Sequence, residues 1–131
     1  MPLVRIAVPR SRSAEHRKAI SRGIQQALVE TFDVPEDDLF QVITEHEPGV
    51  EIVRPASYLG ISYSQDLTFI QLTVSDTRSV EQKKRLFARI AARLSESPGL
   101  RPQDIFINLV EVKKENWSFG NGLAQYAAGA G

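Results

Sequence analysis

The first residue that could do chemistry is Pro2, which directly follows the initiator methionine. Removal of Met1 would leave Pro2 with a free secondary amine, and the neighbouring groups would decide whether that amine is charged near neutral pH. A charged amine can polarise a carbonyl as a general acid, whereas a neutral amine can act as a base or a nucleophile. The alternative interpretation is that proline only signals methionine removal and gives the chain a rigid start.

A second candidate is Arg78, which stands between the end of a predicted strand and the start of a predicted helix. Parallel sheets usually place ligand contacts at such a junction. The planar guanidinium of arginine can hold a carboxylate through two hydrogen bonds. The alternative is a solvated arginine in a surface loop.

Composition excludes several other kinds of chemistry. The 131 residues contain no cysteine, so disulfides, zinc–thiolate sites and thiol nucleophiles are excluded. The two histidines, His16 and His46, are far apart in sequence, and we therefore expect no metal site. Sixteen basic residues balance sixteen acidic ones, which gives no electrostatic case for binding nucleic acid or an anionic membrane.

The chain has the length and composition of one ordinary domain, and we expect a single domain over residues 1–131. Hydrophobic residues make up 42% of it and charged residues 24%, which argues against disorder. No apolar stretch approaches the roughly 20 residues that span a bilayer. The first ten residues place charge and proline where a secretory signal would be apolar. The sequence thus predicts a soluble cytoplasmic protein.

The chain is an internal duplication. Residues 2–45 align without gaps to residues 68–111, and eleven of these 44 pairs are identical. Chance alone would give roughly one identity in seventeen. Duplication of one supersecondary unit is the simplest explanation.

Each copy has the pattern of a strand, a helix and a second strand. The helices should begin after Ser13 and Ser79, and Gln82 completes a capping box with Ser79. Pro35 and Pro98-Gly99 should end the two helical regions. The four predicted strands are Leu3–Val8, Phe40–Glu45, Phe69–Val74 and Ile105–Val112.

These elements predict an α/β fold. A strand–helix–strand crossover of this length implies parallel pairing, so two units form a four-stranded, mostly parallel sheet with both helices on one face. The other face of the sheet then needs a partner, which predicts an oligomer. We also expect short strands within Val50–Arg54 and Tyr58–Tyr63, and a hairpin within Trp117–Tyr126, in the C-terminal segment 113–131.

The chain resembles the tautomerase superfamily, and within it most resembles malonate semialdehyde decarboxylase. The likeness spans nearly the whole chain and rests on an ordered set of motifs. These are Pro2-Leu3, Phe32-Asp33-Val34-Pro35 leading to Asp38, His46 with Pro48-Gly49, Thr77-Arg78-Ser79 with Glu81-Gln82-Lys83, and Trp117-Ser118-Phe119-Gly120.

This resemblance implies a role for three residues. Pro2 would be the catalytic proline, Asp38 its acidic partner and Arg78 the arginine that binds the substrate carboxylate. A carboxylate near the Pro2 ammonium would raise the pKa of that amine. Asp38 also has a structural interpretation, because Asp104 holds the same place in the second copy and an aspartate before a strand often stabilises a turn.

The aromatic residues near the C-terminus are candidates for the substrate pocket. By resemblance, Trp117 and Phe119 would wall it, and with Tyr126 they could cover it and exclude water. Their alternative role is in the core or an interface. We expect a structural role for His46.

Two positions depart from related patterns. The decarboxylase family has a second arginine where this chain has Asp76, so a clamp of two arginines is lost. The dehalogenase branch has a histidine in the first helix where this chain has Val29, which disfavours that activity.

The resemblance implies a homotrimeric enzyme without coenzyme or metal that decarboxylates malonate semialdehyde to acetaldehyde and CO2. Alternatives are a keto–enol tautomerase of phenylpyruvate-like substrates, and a hydratase of unsaturated acids in which Asp38 activates water. If Met1 is retained, a non-enzymatic oligomeric binding protein is expected instead.

Overall fold

The two copies fold into two equivalent β-α-β units, joined by a linker that contains a small hairpin. A computed structural model describes residues 1–127. In chain order the elements are β1 (Pro2–Pro9), α1 (Ala14–Phe32), β2 (Gln41–His46), β3 (Ser57–Tyr58), β4 (Ile61–Ser62), β5 (Thr68–Ser75), α2 (Val80–Glu96) and β6 (Ile105–Val112). Short 3₁₀ helices at Pro102–Asp104 and Lys114–Asn116 flank β6.

One four-stranded sheet in the order β2-β1-β5-β6 unites the copies. Pairing is parallel within each unit, between β1 and β2 and between β5 and β6. The two units meet through β1 and β5, which are antiparallel, with Pro2 opposite Val74 and Arg5 opposite Gln71. The predicted four-stranded, mostly parallel sheet is confirmed, and its central antiparallel pair gives the two copies an approximate twofold relation.

Both helices cover the same face of this sheet. β1 and β5 show the same alternation of buried and exposed positions, so every second side chain enters the core between sheet and helices. α1 and α2 pack closely where Gly23 faces Leu94, since a β-carbon at Gly23 would lie 2.8 Å from Leu94 Cδ2. Neither helix combines the length and the apolar character needed to cross a membrane in the part of the chain described here.

Local capping explains where the helices begin and end. The hydroxyls of Ser13 and Ser79 accept from the backbone N–H three residues later, and the predicted capping box of Ser79 and Gln82 is present. After α1 the backbone turns at Asp33 with a φ of 56°, and Gly99 takes the same left-handed region after α2 with a φ of 100°. The helix starts are therefore capped alike, whereas the ends differ, because α1 is capped by Asp33 in the left-handed region and α2 by Ser97 in an extended conformation.

The face of the sheet away from the helices is uncovered in the single chain. Apolar side chains on its outer strands remain exposed, among them Val42, Phe106 and Val110. Phe69 and Phe106 meet there edge to face, with ring centroids 5.0 Å apart. The expectation of an unpartnered apolar sheet face is confirmed.

Two expectations for the connecting segments need correction, and one is confirmed. Val50–Arg54 is not a strand, because the Glu47 carbonyl accepts from three successive backbone N–H groups, those of Val50, Glu51 and Ile52, and curls the chain into a turn. The short strands expected within Tyr58–Tyr63 are confirmed, since Leu59 and Gly60 have positive φ and join β3 and β4 as a hairpin.

The expected hairpin in Trp117–Tyr126 is also wrong. Gly120, Asn121 and Gly122 have φ of 141°, 60° and 69°, a succession that no strand can adopt. The side chain of Gln125 stabilises this turn by accepting from the Phe119 N–H and donating to the Gly120 carbonyl. The last part of the expected C-terminal segment, residues 128–131, lies outside the described residues.

Candidate active site

The start of the chain lies at a sheet edge where two parallel strands end. Pro2 is buried in β1 and pairs with Val74 near the end of β5, while Ser75 pairs with Val112 at the end of β6. The residues that follow β5 and β6 must therefore gather around the beginning of β1. The sheet topology thus brings together the start of the chain, Arg78 and the segment after Val112.

Asp38 reaches the same place from the loop before β2. The Val4 N–H donates to the Phe40 carbonyl at 3.0 Å, which fixes that loop beside the start of β1. The Oδ2 atom of Asp38 lies 3.8 Å from the terminal amine of Met1. Its Oδ1 atom is buried with no hydrogen-bond partner among the described residues. With Met1 in place the Pro2 nitrogen is part of an amide, and the Met1 amine marks the position one residue further out.

Gln25 of α1 holds the Asp38 loop, and the sequence analysis did not single it out. Its Nε2 atom lies 3.4 Å from the carbonyl oxygens of both Pro35 and Glu36, and 3.1 Å from that of Asp38. The second copy has Ala91 at the equivalent position. A polar residue in one copy opposite alanine in the other was the signal that could have revealed it.

Arg78 is held at the site by the end of α1. Its Nη2 donates to the Phe32 carbonyl at 2.7 Å, and its guanidinium carbon lies 5.0 Å from the centroid of the Phe32 ring. Its Nη1 donates to the Thr77 hydroxyl. The guanidinium is half-buried, and these contacts fix its plane while N–H groups remain available for a ligand.

The three predicted aromatic residues form one stack beside the site. Trp117 donates its indole N–H to the Ser75 hydroxyl at 3.1 Å and stacks on Phe119 with a centroid separation of 5.6 Å. Phe119 in turn meets Tyr126 edge to face at 4.8 Å. The stack anchors Tyr126, the outermost ring, to the end of β5.

A cavity of about 590 Å³ lies beside these parts. Of the residues predicted for the site, Arg78 and Tyr126 line the cavity directly, Trp117 and Phe119 pack behind Tyr126, and Pro2 and Asp38 lie next to Met1 outside the lining. The lining comprises Met1, Ser75, Thr77, Arg78, Lys114, Gln125 and Tyr126. Lys114 and Gln125 were not anticipated from the sequence, because their positions depend on how the chain folds after β6.

Comparison with known proteins agrees with this architecture. Two family models, both described as tautomerase enzyme, match residues 38–120 and residues 2–57. The probable tautomerase YusQ of Bacillus subtilis (strain 168) is 41% identical over 125 residues, which cover 95% of this chain and 98% of the relative. The chain belongs to the tautomerase family.

Solved structures of other tautomerase-family proteins share the fold. The structure of FG41 malonate semialdehyde decarboxylase inhibited by 3-bromopropiolate is similar with a TM-score of 0.88 and 38% identity, covering 97% of this chain and 95% of that one. Another malonate semialdehyde decarboxylase, studied for its decarboxylase and hydratase activities, gives a TM-score of 0.87 and 28% identity, covering 97% of each chain. A fused 4-OT symmetric trimer, at 20% identity and a TM-score of 0.78 over 97% and 98% of the two chains, shares the fold alone.

Burial brings the pKa values of the acid and the amine at this tautomerase-family site closer together. It lowers the pKa of the Met1 ammonium below its ordinary value of 8.0, against the opposing effect of Asp38, while Arg78 and Lys114 add to the decrease. Burial also raises the pKa of Asp38 above its ordinary value, although the nearby ammonium acts the other way. The expectation that Asp38 raises the pKa of the Pro2 amine stays a prediction, because the Pro2 nitrogen is an amide while Met1 is present; at the Met1 amine, burial outweighs the carboxylate.

The equivalent position in the second copy of the tautomerase fold is closed. Thr68 stands where Pro2 stands in the first copy, but it follows a peptide bond rather than beginning the chain. Ser64 of the linker donates its backbone N–H and its hydroxyl to the two oxygens of Asp104, at 2.8 and 2.5 Å. Arg12, the counterpart of Arg78, forms an ion pair with Asp66. The linker therefore neutralises and fills the second site.

The remaining predicted positions lie apart from the cavity. His46 is at the far end of β2, where its ring nitrogen pairs with the Thr44 hydroxyl at 2.8 Å. Asp76 has an exposed side chain, and its backbone N–H donates to the Val112 carbonyl. Val29 of α1 does not line the cavity. Within residues 1–127, no three histidine, cysteine, aspartate or glutamate side chains group as metal ligands would.

Proposed function

We propose that this chain, once Met1 is removed, decarboxylates a short 3-oxo acid, malonate semialdehyde, to acetaldehyde and CO2 without a coenzyme. The observation that carries the proposal is that three groups lie close together: the start of the chain and Arg78 line one cavity, and the carboxylate of Asp38, with one oxygen unpartnered among the described residues, lies beside the start of the chain. The likeness to two malonate semialdehyde decarboxylases supports the choice of substrate.

In the first route, the protonated Pro2 amine donates a hydrogen bond to the aldehyde oxygen. Arg78 holds the carboxylate so that the breaking carbon–carbon bond aligns with the carbonyl π system. As CO2 departs, its bonding electrons move to the neighbouring carbon and onto the carbonyl oxygen, where the ammonium stabilises the enolate. The enolate carbon then takes up a proton from water, which gives acetaldehyde. Asp38 orients the ammonium through the oxygen that now lacks a partner.

In the second route, neutral Pro2 attacks the aldehyde carbon and water leaves, which forms an iminium ion. The electrons released with CO2 then move into the iminium, and the resulting enamine takes up a proton and is hydrolysed to acetaldehyde. The burial of Pro2 supports this route, because burial disfavours the charged form of an amine. Borohydride trapping separates the routes, since only the iminium leaves a reduced adduct on Pro2 that mass spectrometry detects.

A keto–enol tautomerase is the second candidate. Two observations favour it: YusQ is named a probable tautomerase, and Asp76 replaces one arginine of the clamp that the decarboxylase resemblance implies. Tautomerisation needs only that Pro2 move a proton between carbon and oxygen while Arg78 holds the substrate carboxylate.

We also propose that the functional assembly is a homotrimer. The uncovered sheet face, with Val42, Phe106 and Val110 exposed, supplies the apolar surface that subunit contacts would bury. The fused 4-OT that shares this fold is described as a symmetric trimer. Sedimentation equilibrium would show three times the chain mass, and a monomer would contradict the assembly.

The deciding experiment compares wild type with Pro2→Ala on malonate semialdehyde and on phenylpyruvate. Intact mass first establishes that Met1 has been removed from both proteins. We expect Pro2→Ala to lower kcat/KM on the true substrate by about 10²- to 10⁴-fold, as for loss of a general acid or base. Turnover of phenylpyruvate alone would select the tautomerase. Unchanged turnover by Pro2→Ala, or a retained Met1 in active protein, would refute both candidates.

A further inference from the structure

Lys114 enters the cavity because β5 and β6 end side by side. Ser75 pairs with Val112, and the Asp76 N–H donates to the Val112 carbonyl at 3.0 Å, so the segments that follow β5 and β6 leave the sheet together. One leads to Arg78 and the other to the 3₁₀ helix that begins at Lys114. Both side chains line the cavity with Met1.

Within residues 1–127, neither of these two cations has a carboxylate partner. The ion pairs formed there engage Arg12 with Asp66 and Lys83 with Glu111, but they include neither Arg78 nor Lys114. Two cations thus line one cavity together with Met1, while no aspartate or glutamate among the described residues lines it and Asp38 lies beside Met1 outside the lining. This excess of positive charge is suited to a small organic anion.

The duplication sets Lys114 apart from the rest of the site. Its counterpart in the first copy is Pro48, so the lysine belongs only to the copy whose site is open. The first copy has Arg10 two residues before Arg12, but the open site has Asp76 at the position equivalent to Arg10. The open site therefore lacks the local pair of arginines that the closed site retains.

We infer that Lys114 is a specificity-determining residue that supplies the second cation for the substrate carboxylate, in place of an arginine at position 76. Arg78 holds the carboxylate through its fork, while the Lys114 ammonium adds a charge on a flexible stem from the 3₁₀ helix that follows β6. The site accordingly selects short oxo acids as anions over their neutral esters or amides. This inference rests on the proposed function for the identity of the substrate.

Binding of malonate, measured by isothermal titration calorimetry, tests the inference without turnover. We expect Lys114→Ala to raise the Kd of malonate about tenfold, as for loss of a hydrogen bond between charged groups. Lys113→Ala is the matched control, because Lys113 is exposed beside Lys114 and does not line the cavity. It should bind as wild type does, and Lys114→Arg should stay within about threefold of wild type, since it keeps the charge.

A double variant that restores a cation at position 76 makes the test more specific. Adding Asp76→Arg to Lys114→Ala should recover most of the lost affinity, because it places a cation just after β5, between the cavity residues Ser75 and Thr77. Malonate binding by Lys114→Ala equal to wild type, equal weakening by Lys113→Ala, or no binding by wild type would overturn the inference. Failure of the proposed function looks different: wild type would bind malonate and depend on Lys114, yet release no CO2 from malonate semialdehyde.

Discussion

Asp38 and Asp104 hold equivalent positions in the two copies, but only Asp104 has both carboxylate oxygens hydrogen-bonded. Ser64 supplies both donors to Asp104. Asp38 has one oxygen 3.8 Å from the Met1 amine and the other buried without a partner in the described chain. The same residue thus stabilises the fold in one copy and is left available for chemistry in the other.

Replacing Asp38 should increase stability while it lowers activity. Because burial raises the pKa of Asp38 in the folded state, its ionised form destabilises the fold at neutral pH, and this cost disappears as the pH falls below the ordinary value of 3.8. Asp38→Asn should therefore have a higher Tm than wild type at pH 7, with the difference lost near pH 3. Its kcat should fall, since an amide cannot balance a charged amine. A lower Tm at pH 7 would show that the carboxylate contributes to stability instead.

The opposite outcome is expected at the equivalent residue of the second copy. Asp104→Asn keeps one oxygen that can accept from Ser64 but loses the second acceptor and the charge that faces Arg101, so it should reduce the free energy of unfolding by about 1.5–3 kcal/mol at pH 7. Urea denaturation measures this loss, and kcat/KM of the folded variant should match wild type. Reduced activity with unchanged stability would contradict a purely structural role for Asp104.

Arg78 and Arg12 provide a matched pair for the carboxylate-binding role. Arg78→Lys keeps the charge but loses the planar fork and its contact with Phe32, so we expect kcat/KM to fall about 10²-fold. Arg12→Lys alters an ion pair at the closed site and should leave kcat/KM within about twofold of wild type. Steady-state kinetics at constant ionic strength compares the two. Equal losses would place the effect in the fold rather than in substrate binding.

Gln25 should act as a positioning residue for Asp38. A glutamate at position 25 cannot donate to the three loop carbonyls, so in Gln25→Glu the loop that carries Asp38 loses the hydrogen bonds from this side chain. We expect kcat to fall about three- to tenfold with a smaller change in KM, and the pH–rate profile to shift because the Asp38 environment loosens. Gln26→Glu, on the exposed neighbour, is the control. A variant that loses stability but keeps the wild-type pH profile would make Gln25 merely structural.

The repeat explains why much of the fold could be predicted. Two copies of one pattern gave independent readings of the same strands and helix caps, and Ser13 and Ser79 begin the helices as expected. The antiparallel meeting of β1 and β5 could not be deduced, because it depends on how two finished units pack rather than on either unit alone.

Part of the site was predictable from the motifs of the resemblance and from the aromatic C-terminal segment. Pro2, Asp38 and Arg78 adjoin repeated strands and helices, and the fold brings them to one edge, while Tyr126 lines the cavity from beyond the repeat. Lys114 and Gln125 also follow the last repeated strand, where turn geometry rather than periodicity sets their direction. Gln25 was missed because its role depends on loop carbonyls, and only its contrast with Ala91 of the second copy marks it in the sequence.

A polypeptide has only one amino terminus, so it can contain only one site whose chemistry uses a terminal amine. When two copies are joined head to tail, the second loses its α-amine to the peptide bond before Thr68, whatever side chains surround it. Fusion therefore halves the number of centres that such a chain can operate. The copy without the terminal amine does not need an open site, and here the linker residues Ser64 and Asp66 bind to the residues of that site and fix the linker in place.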